Sequence, residues 1–402
     1  MKKLCLLLAL VMVFLCGCNA EEEDSGRRRS KREDAEQEQT QEVTAMGRMG
    51  FAVCDGNNIY YWQYESSTYE EGAMMGFFAD RMPATLVCRD ADGVETQLAT
   101  TRTADVFVLT ATSIFYVDVD QIHRLDLQSM ESTLLTAGSL VDVDEAGQHL
   151  IISLDGAYHS YDIAQDQFTA LFTEGDYEGY HNGIVYYSTS PEDFELAQRG
   201  QLTLHAVNID GTDPRPLITT GADLYDFGGV SEANVEQMRF SDDAVYFSYG
   251  SIGGSGGFYQ GGKIIRLPFD GSEPEVVAGE GDLVNADFGV NEDGTVTVYE
   301  DSMTPYYSGH TQYFETQEGL FWMDRKTGMS QKLLSVNDYE SLVSCDEAFV
   351  SLCDVWDDVA IITVNYTDID PDQAMGWRDY FARVKTVTYM VVNGDMTELY
   401  SF

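Results

Sequence analysis

The chain has 402 residues, and its 68 acidic residues against 23 Lys plus Arg give a formal net charge of −45. So negative a surface repels phosphate backbones, which excludes a nucleic-acid binder. With 44% hydrophobic and 12% aromatic residues, the bulk of the chain can bury a sizeable core.

Lys2 and Lys3 precede an apolar run from Leu4 to Leu15, and Gly17 stands directly before Cys18. That run is short for a bilayer span and reads as the h-region of a signal peptide. Leu15-Cys16-Gly17-Cys18 resembles a bacterial lipobox, with Cys16 the less usual member. The resemblance implies a signal peptide over residues 1–17 and acylation of Cys18, which becomes the new N-terminus. It also implies a protein held by lipid on the outer side of a cell membrane, in a Gram-positive bacterium. The alternative is an ordinary signal peptide cut near Ala20. Residues 18–46 then form a tether with hardly an apolar side chain. An acidic block (Glu21 to Asp24) is followed by a basic one (Arg27, Arg28, Arg29, Lys31, Arg32) and a Glu/Gln run. Such a composition stays solvated. Its basic block suits either an anionic leaflet or a plain spacer.

From residue 47 to 402 a short pattern recurs, in which a turn precedes a run of β-branched and aromatic residues. It is clearest at Ile59-Tyr60-Tyr61-Trp62, Ile114-Phe115-Tyr116-Val117, Ile184-Val185-Tyr186-Tyr187 and Val245-Tyr246-Phe247. Looser copies begin near Leu150, Val296 and Ala360. Seven occurrences at a mean spacing of about 50 residues predict an all-β propeller of four-stranded antiparallel blades. Each unit continues into a third strand, a tight turn and a fourth strand. Asp92-Gly93, Asp210-Gly211, Asp270-Gly271, Thr327-Gly328 and Asn393-Gly394 mark those turns, and such pairs predict two-residue hairpins. No helical periodicity is visible.

Leu204-His205-Ala206-Val207-Asn208-Ile209-Asp210-Gly211-Thr212 and Ile264-Ile265-Arg266-Leu267-Pro268-Phe269-Asp270-Gly271-Ser272 resemble the strand-turn segment of low-density-lipoprotein-receptor-related (YWTD-like) propellers. Tyr60-Tyr61-Trp62 and Tyr186-Tyr187-Ser188 are degenerate versions of that family's first motif. The resemblance implies a fold and a binding habit, and it carries no catalytic residues. Seven blades are expected, with six as the alternative because the receptor family has six. With its last strand near Thr397 to Tyr400, the propeller is expected to close by packing between its end blades.

In such blades the second-to-third-strand loops and the blade-to-blade connections share one rim. Long insertions are expected there over residues 63–83, 188–200, 250–262, 301–318 and 367–383. They hold a candidate binding face of Tyr64, Tyr69, Phe77, Phe78, Phe258, Tyr259, Tyr306, Tyr307, Tyr313, Phe314, Trp377 and Tyr380. Aromatic faces beside carboxylates suit a protein, peptide or glycan partner, while the same rings can also pack loops together.

Residues 257–263 match the glycines and lysine of a phosphate loop, but Ile264 stands where Ser or Thr should bind magnesium, and a strand follows. Asp368, Asp370 and Asp372 alternate as in a calcium loop, although Gln373 replaces the turn glycine. A solvated acidic loop is the expectation, and no cofactor is assigned. The six histidines lack zinc spacing; His123 and His205 fall in strands, and His310 in a long loop. No nucleophile elbow is present, so no catalytic residue is assigned. Paired carboxylates for a carbohydrate-active enzyme stay open. Cys54 and Cys88, on the first and third strands of one blade, are too far apart to bridge. Cys345–Cys353 and Cys54–Cys353 are the alternatives to free thiols. The resulting expectation is a lipid-anchored propeller that binds through its loop-rich face. Its alternatives are a structural subunit of an envelope complex and a propeller enzyme.

Overall fold

Runs rich in β-branched and aromatic residues become strands, and consecutive strands pair antiparallel into separate sheets. The computed structural model describes residues 46–64, 83–192, 196, 201–220, 233–253, 258–279, 288–298, 306–308, 311–316, 318–324, 329–343, 348–356, 359–366, 385–392 and 394–401. After β1 (Gly47–Gly50), the first sheet takes β2 (Ala52–Cys54), β3 (Ile59–Tyr64), β4 (Ala84–Arg89) and β5 (Glu95–Thr101). The second takes β6 (Phe107–Thr110), β7 (Ser113–Val117), β8 (Gln121–Asp126) and β9 (Ser132–Ala137). The third takes β10 (Ser139–Val143), β11 (His149–Leu154), β12 (Ala157–Asp162) and β13 (Gln167–Phe172). The fourth takes β14 (Asp176–His181), β15 (Ile184–Thr189), β16 (Thr203–Asn208) and β17 (Arg215–Thr219). The fifth takes β18 (Ala233–Phe240), β19 (Ala244–Gly253), β20 (Phe258–Pro268) and β21 (Glu275–Ala278). A two-stranded pair, β22 (Phe288–Val290) and β23 (Val296–Val298), comes next. It is followed by a sheet of β24 (Tyr306–Ser308), β25 (Thr311–Thr316), β26 (Gly319–Asp324) and β27 (Ser330–Ser335). Helix α1 (Val336–Val343) leads to the last sheet, β28 (Ala348–Trp356), β29 (Val359–Tyr366), β30 (Lys385–Val392) and β31 (Asp395–Ser401).

The fold is an all-β propeller of antiparallel sheets. Each recurrent run of the sequence is the second strand of its sheet, as β7 shows with all five residues buried. A second strand has neighbouring sheets against both faces, so it is apolar without alternation. Fourth strands such as β9 face solvent and read as polar. In the seven described sheets that have a fourth strand, it comes from the same unit, as expected. Turns between first and second strands, and between third and fourth, lie on one rim, here termed the hairpin rim. The remaining connections lie on the opposite loop rim.

Four expectations are corrected. First, the stretch 301–318 is not one loop: Tyr306–Ser308 and Thr311–Thr316 are strands of a four-stranded sheet with β26 and β27. The described residues therefore form eight sheets, one of them two-stranded, and the seven recurrences do not map one to one onto them. Second, the segment 250–262 is largely strand, because β19 and β20 continue pairing as far as Gly253 and Phe258. Third, α1 is a helix of eight residues, too short to show a period; Asp338 caps it by accepting from the Ser335 N–H at 2.7 Å. Fourth, the Asn208–Thr212 hairpin is a three-residue turn. Gly211 N–H donates to Asn208 O at 2.8 Å, and Gly211 alone takes positive φ within it. The Asp210 carboxylate spends itself on the Thr212 N–H at 3.0 Å, and Asp270 and Asp293 do the same in their turns.

β1 adds a fifth strand to the second sheet, beyond its first strand β6. Gly47 passes so close to the Asp144–Gly147 turn that a Cβ has no room, and its N–H donates to Glu145 O at 3.1 Å. From β1, Arg48 reaches the last sheet. Its Nε donates to Asp354 Oδ2 at 3.1 Å, and its Nη2 donates to Asp354 Oδ1 and to Val355 O. The Cys54 N–H of β2 donates to the same Asp354 at 3.0 Å. One carboxylate thus joins the first, second and last sheets. Ala52, Cys54, Ile59, Tyr61 and Val87 of the first sheet also share an apolar cluster with Ile361 and Leu399 of the last. No disulfide joins Cys54 to Cys353 or to Cys88, so the clasp between the end sheets is made by Asp354 and not by sulfur. Cys345 lies outside the described residues.

The third and fourth sheets are joined by another carboxylate, Asp142, which accepts from the Tyr177 hydroxyl. Asp142 and Asp354 each follow a bulge in the first strand of their sheet, a device that re-aims a side chain. Burial pushes the Asp142 carboxyl above the usual range, although the Tyr177 hydrogen bond opposes this.

Asp354→Ala removes the carboxylate that neutralises the half-buried Arg48 and is expected to cost about 3 kcal/mol in urea unfolding. Arg102→Ala, which removes the exposed pair with Asp118 at 2.9 Å, leaves the midpoint unchanged. The pH dependence has two signs. Asp126, Asp210, Asp270 and Asp293 are held below the usual range by hydrogen bonds from turn amides and hydroxyls. Their contribution is present above the ordinary carboxylate range and is lost as pH falls through it. Asp142, raised by burial, stabilises while protonated, and that contribution is lost as pH rises through its folded pKa. Asp142→Asn should therefore flatten the decline in melting temperature above the ordinary carboxylate range and leave the acid limb in place.

Candidate functional site

Strands take up much of the expected loop face. Phe258 and Tyr259 lie in β20 opposite Gly253 and Ile252, Tyr306 and Tyr307 lie in β24, and Phe314 lies in β25. Tyr313 is 4% exposed and packs in the core with Leu320 and Tyr339, so it offers no surface to a partner. Pairing in this strand places Tyr313 on the core side of the sheet. Tyr64 ends β3 and is half-buried. Tyr69, Phe77, Phe78, Trp377, Tyr380, Asp368, Asp370, Asp372 and His310 lie outside the described residues. The described aromatics toward the loop rim stack on one another: Tyr177 on Tyr158 (6.2 Å), Tyr158 on Phe172 (4.5 Å), Phe172 on Tyr187 (4.1 Å) and Tyr187 on His205 (4.8 Å). Their faces are used in joining the third and fourth sheets.

The described cleft with the shape of a site opens on the hairpin rim, between the fourth and fifth sheets, with a volume of about 370 Å³. Its floor is apolar: Ile184 and Tyr186 of β15, Ala206 of β16 and Leu217 of β17 face Val245 of β19 and Leu267 of β20. Polar side chains occupy only its rim: His181 and Asn182 at the turn after β14, Arg215 at the start of β17, and Asp242 in the turn after β18.

Local chemistry fixes His181, Asn182 and Arg215. The His181 ring stacks on Phe240 at 4.6 Å and 8°, and Phe269 lies beyond it at 6.3 Å. Burial among these rings lowers the His181 pKa, so the imidazole is neutral at pH 7. Asn182 Nδ2 lies 2.8 Å from His181 Nε2, and a neutral ring accepting there carries its proton on Nδ1. Arg215 is anchored through Nη1 to Asp213, at 2.8 Å to Oδ2 and 3.1 Å to the carbonyl.

The cleft exists because one turn stands off its neighbour. In the fourth sheet the turn Ile209-Asp210-Gly211 docks on the third. Ser160 Oγ donates to Ile209 O at 2.6 Å, and a Cβ at Gly211 would lie 2.7 Å from Ala170 O. The last sheet's turn docks likewise, where a Cβ at Gly394 would lie 3.1 Å from Leu333 O. In the first sheet the space at Gly93 is taken by Arg89 at 3.6 Å. At Gly271, in the matching turn of the fifth sheet, a Cβ would meet nothing within 4 Å. Phe269, where the fourth sheet has Ile209, is 45% exposed on the cleft edge.

Sequence reasoning missed this site. His181-Asn182-Gly183 read only as the turn before a strand, and Ile209-Asp210-Gly211-Thr212 and Phe269-Asp270-Gly271-Ser272 read as equivalent. The available signal was the large aromatic Phe269 in a turn, with Arg215 as a rare cation near the preceding one. Among the described residues no group of three or more His, Cys, Asp or Glu could hold a metal ion.

A comparison of glycines tests the docking. Both Gly211→Ala and Gly271→Ala force a positive φ on alanine, at 76° and 79°, with a backbone cost of about 1 kcal/mol each. Gly211→Ala also collides with the third sheet, so its melting temperature should fall clearly further.

No family model and no curated protein sequence matches the chain. Among solved structures it is similar to an oligogalacturonate lyase in complex with manganese, at 12% identity and a TM-score of 0.39, over 72% of this chain and 86% of that one. It is also similar to a Mycobacterium tuberculosis puromycin-hydrolyzing peptidase, at 12% identity and a TM-score of 0.44, over 82% of this chain and 59% of that one. A third similarity is to the N-terminal domain of Nup159, at 11% identity and a TM-score of 0.41, over 78% of this chain and 83% of that one.

Proposed function

We propose that this protein is a lipid-anchored, extracytoplasmic propeller that binds a protein, peptide or glycan of the cell envelope, and that the hairpin-rim cleft is its binding site. The observation that carries the binding role is the cleft itself. It is concave and apolar at its floor, has polar groups placed only at its rim, and is walled by two rigid sheets, as binding sites are. The anchor rests on Leu15-Cys16-Gly17-Cys18 behind an apolar run, and the solvated stretch 18–46 supplies the reach.

Affinity capture from solubilised envelope tests the reading, with the mature chain as bait. One variant carries Phe269→Ser and Arg215→Gln in the cleft, and another carries Trp377→Ser and Tyr380→Ser from the expected loop face. A partner lost only by the cleft variant is the expected result. Loss only by the second variant would move the site to the loop rim. Retention of one partner by both would favour a structural subunit held by another surface. Cys18→Ala is expected to shift the protein from the membrane fraction to the soluble one, and unchanged membrane retention would overturn the anchor.

A further inference from the structure

The two walls of the cleft carry opposite charges that do not pair with each other. Arg215 rises from β17 of the fourth sheet and commits one nitrogen, Nη1, to Asp213. Asp242 lies across from it in the turn of the fifth sheet and makes no hydrogen bond or ion pair among the described residues. Its neighbour Asp243 shows the contrast: it accepts from Ser241 Oγ at 2.8 Å and from Arg266 Nη2 at 2.6 Å. Between these charges the floor is aliphatic and aromatic, with Tyr186 and Val245 fully buried beneath it. Phe269 lines one side of the cleft, 45% exposed, with its ring beyond that of His181 at 6.3 Å.

We propose that the cleft selects a small zwitterion with a large apolar side chain, an amino acid or short peptide with free ends. Its carboxylate meets Arg215, its ammonium meets Asp242, and its side chain lies under Phe269 on the floor. The inference rests on the cleft being the binding site. Three points favour this ligand class over others. The formal charge of −45 repels polyanions and leaves a net-neutral ligand unopposed. A neutral His181 adds no second cation, so one carboxylate is what the cationic side can hold. A sugar would want an open ring face and hydroxyl partners. Here Phe240 is covered by His181, and the floor offers Ile184, Leu217 and Leu267.

Calorimetric titration of the full mature chain in detergent tests this, using four probes: L-phenylalanine, L-leucyl-L-phenylalanine, its N-acetyl form and its C-terminal amide. The free dipeptide or free amino acid should bind, and whichever binds more tightly identifies the source. Each blocked dipeptide should bind about tenfold more weakly than the free one, the scale of one charged hydrogen bond. Arg215→Gln should abolish the penalty for amidation alone, and Asp242→Asn the penalty for acetylation alone. Phe269→Ala should weaken all four probes. Melting curves establish that each variant is folded. Equal binding of free and blocked probes, penalties that ignore the variants, or no binding at millimolar concentration would overturn the ligand class. If the zwitterions fail while the cleft variant still loses its captured partner, the binding-site reading survives without this ligand.

Discussion

One carboxylate holds the circle of sheets closed. Asp354 receives Arg48 from the strand added to the second sheet and the Cys54 amide from the first, while standing on the first strand of the last. Among the described residues no strand is shared between the first and last sheets, so no ladder seals them. The seal must come from side chains, and here it is an ion pair sunk beside an apolar cluster. In that setting the pair lies in a low-dielectric region, where attraction is strong and a broken partnership is costly.

Given closure, repetition sets a default in which the turn after each third strand can rest on the sheet before it. The site arises where that default lapses. The third-to-fourth contact is filled by Gly211 against Ala170 O, by the Ser160 bond, and by the stack from Tyr177 to His205. One sheet further round, a Cβ at Gly271 would meet nothing within 4 Å. Its Phe269 stays half in water, and a trough opens over Tyr186 and Val245. Binding capacity in a repeat fold can thus come from a contact withheld in one copy.

The sequence announces the second strands plainly, because burial on both faces demands unbroken β-branched and aromatic runs such as Ser113–Val117. It announces the turns as well, since Gly211 must take a positive φ and Asp210 must accept from the amide two residues on. It hides β1, whose Gly47-Arg48-Met49-Gly50 has no strand-like composition and pairs only because the second sheet offers an edge. Thr311–Thr316 is hidden too, since its polar and aromatic residues suit a loop equally well until pairing turns Tyr313 inward. The cleft is hidden but for Phe269 in its turn and Arg215 near the preceding one. The motifs around Asp210 and Asp270 are locally alike, and what separates them is the distance from each turn to a sheet supplied by residues some forty to sixty positions away.

The way the chain enters the fold has a mechanical consequence. β1 starts at the hairpin rim and runs toward the other, antiparallel to β6 from Gly47↔Thr110 to Gly50↔Phe107. A force drawn through the N-terminal chain away from that rim acts along the strand, so it loads the backbone bonds of the ladder in shear, together, and not one after another. Arg48 sits within the loaded segment, and the same pull strains its grip on Asp354. Tension at the N-terminus is therefore borne by the joint that closes the propeller. The force that frees the strand is also the force that opens the fold.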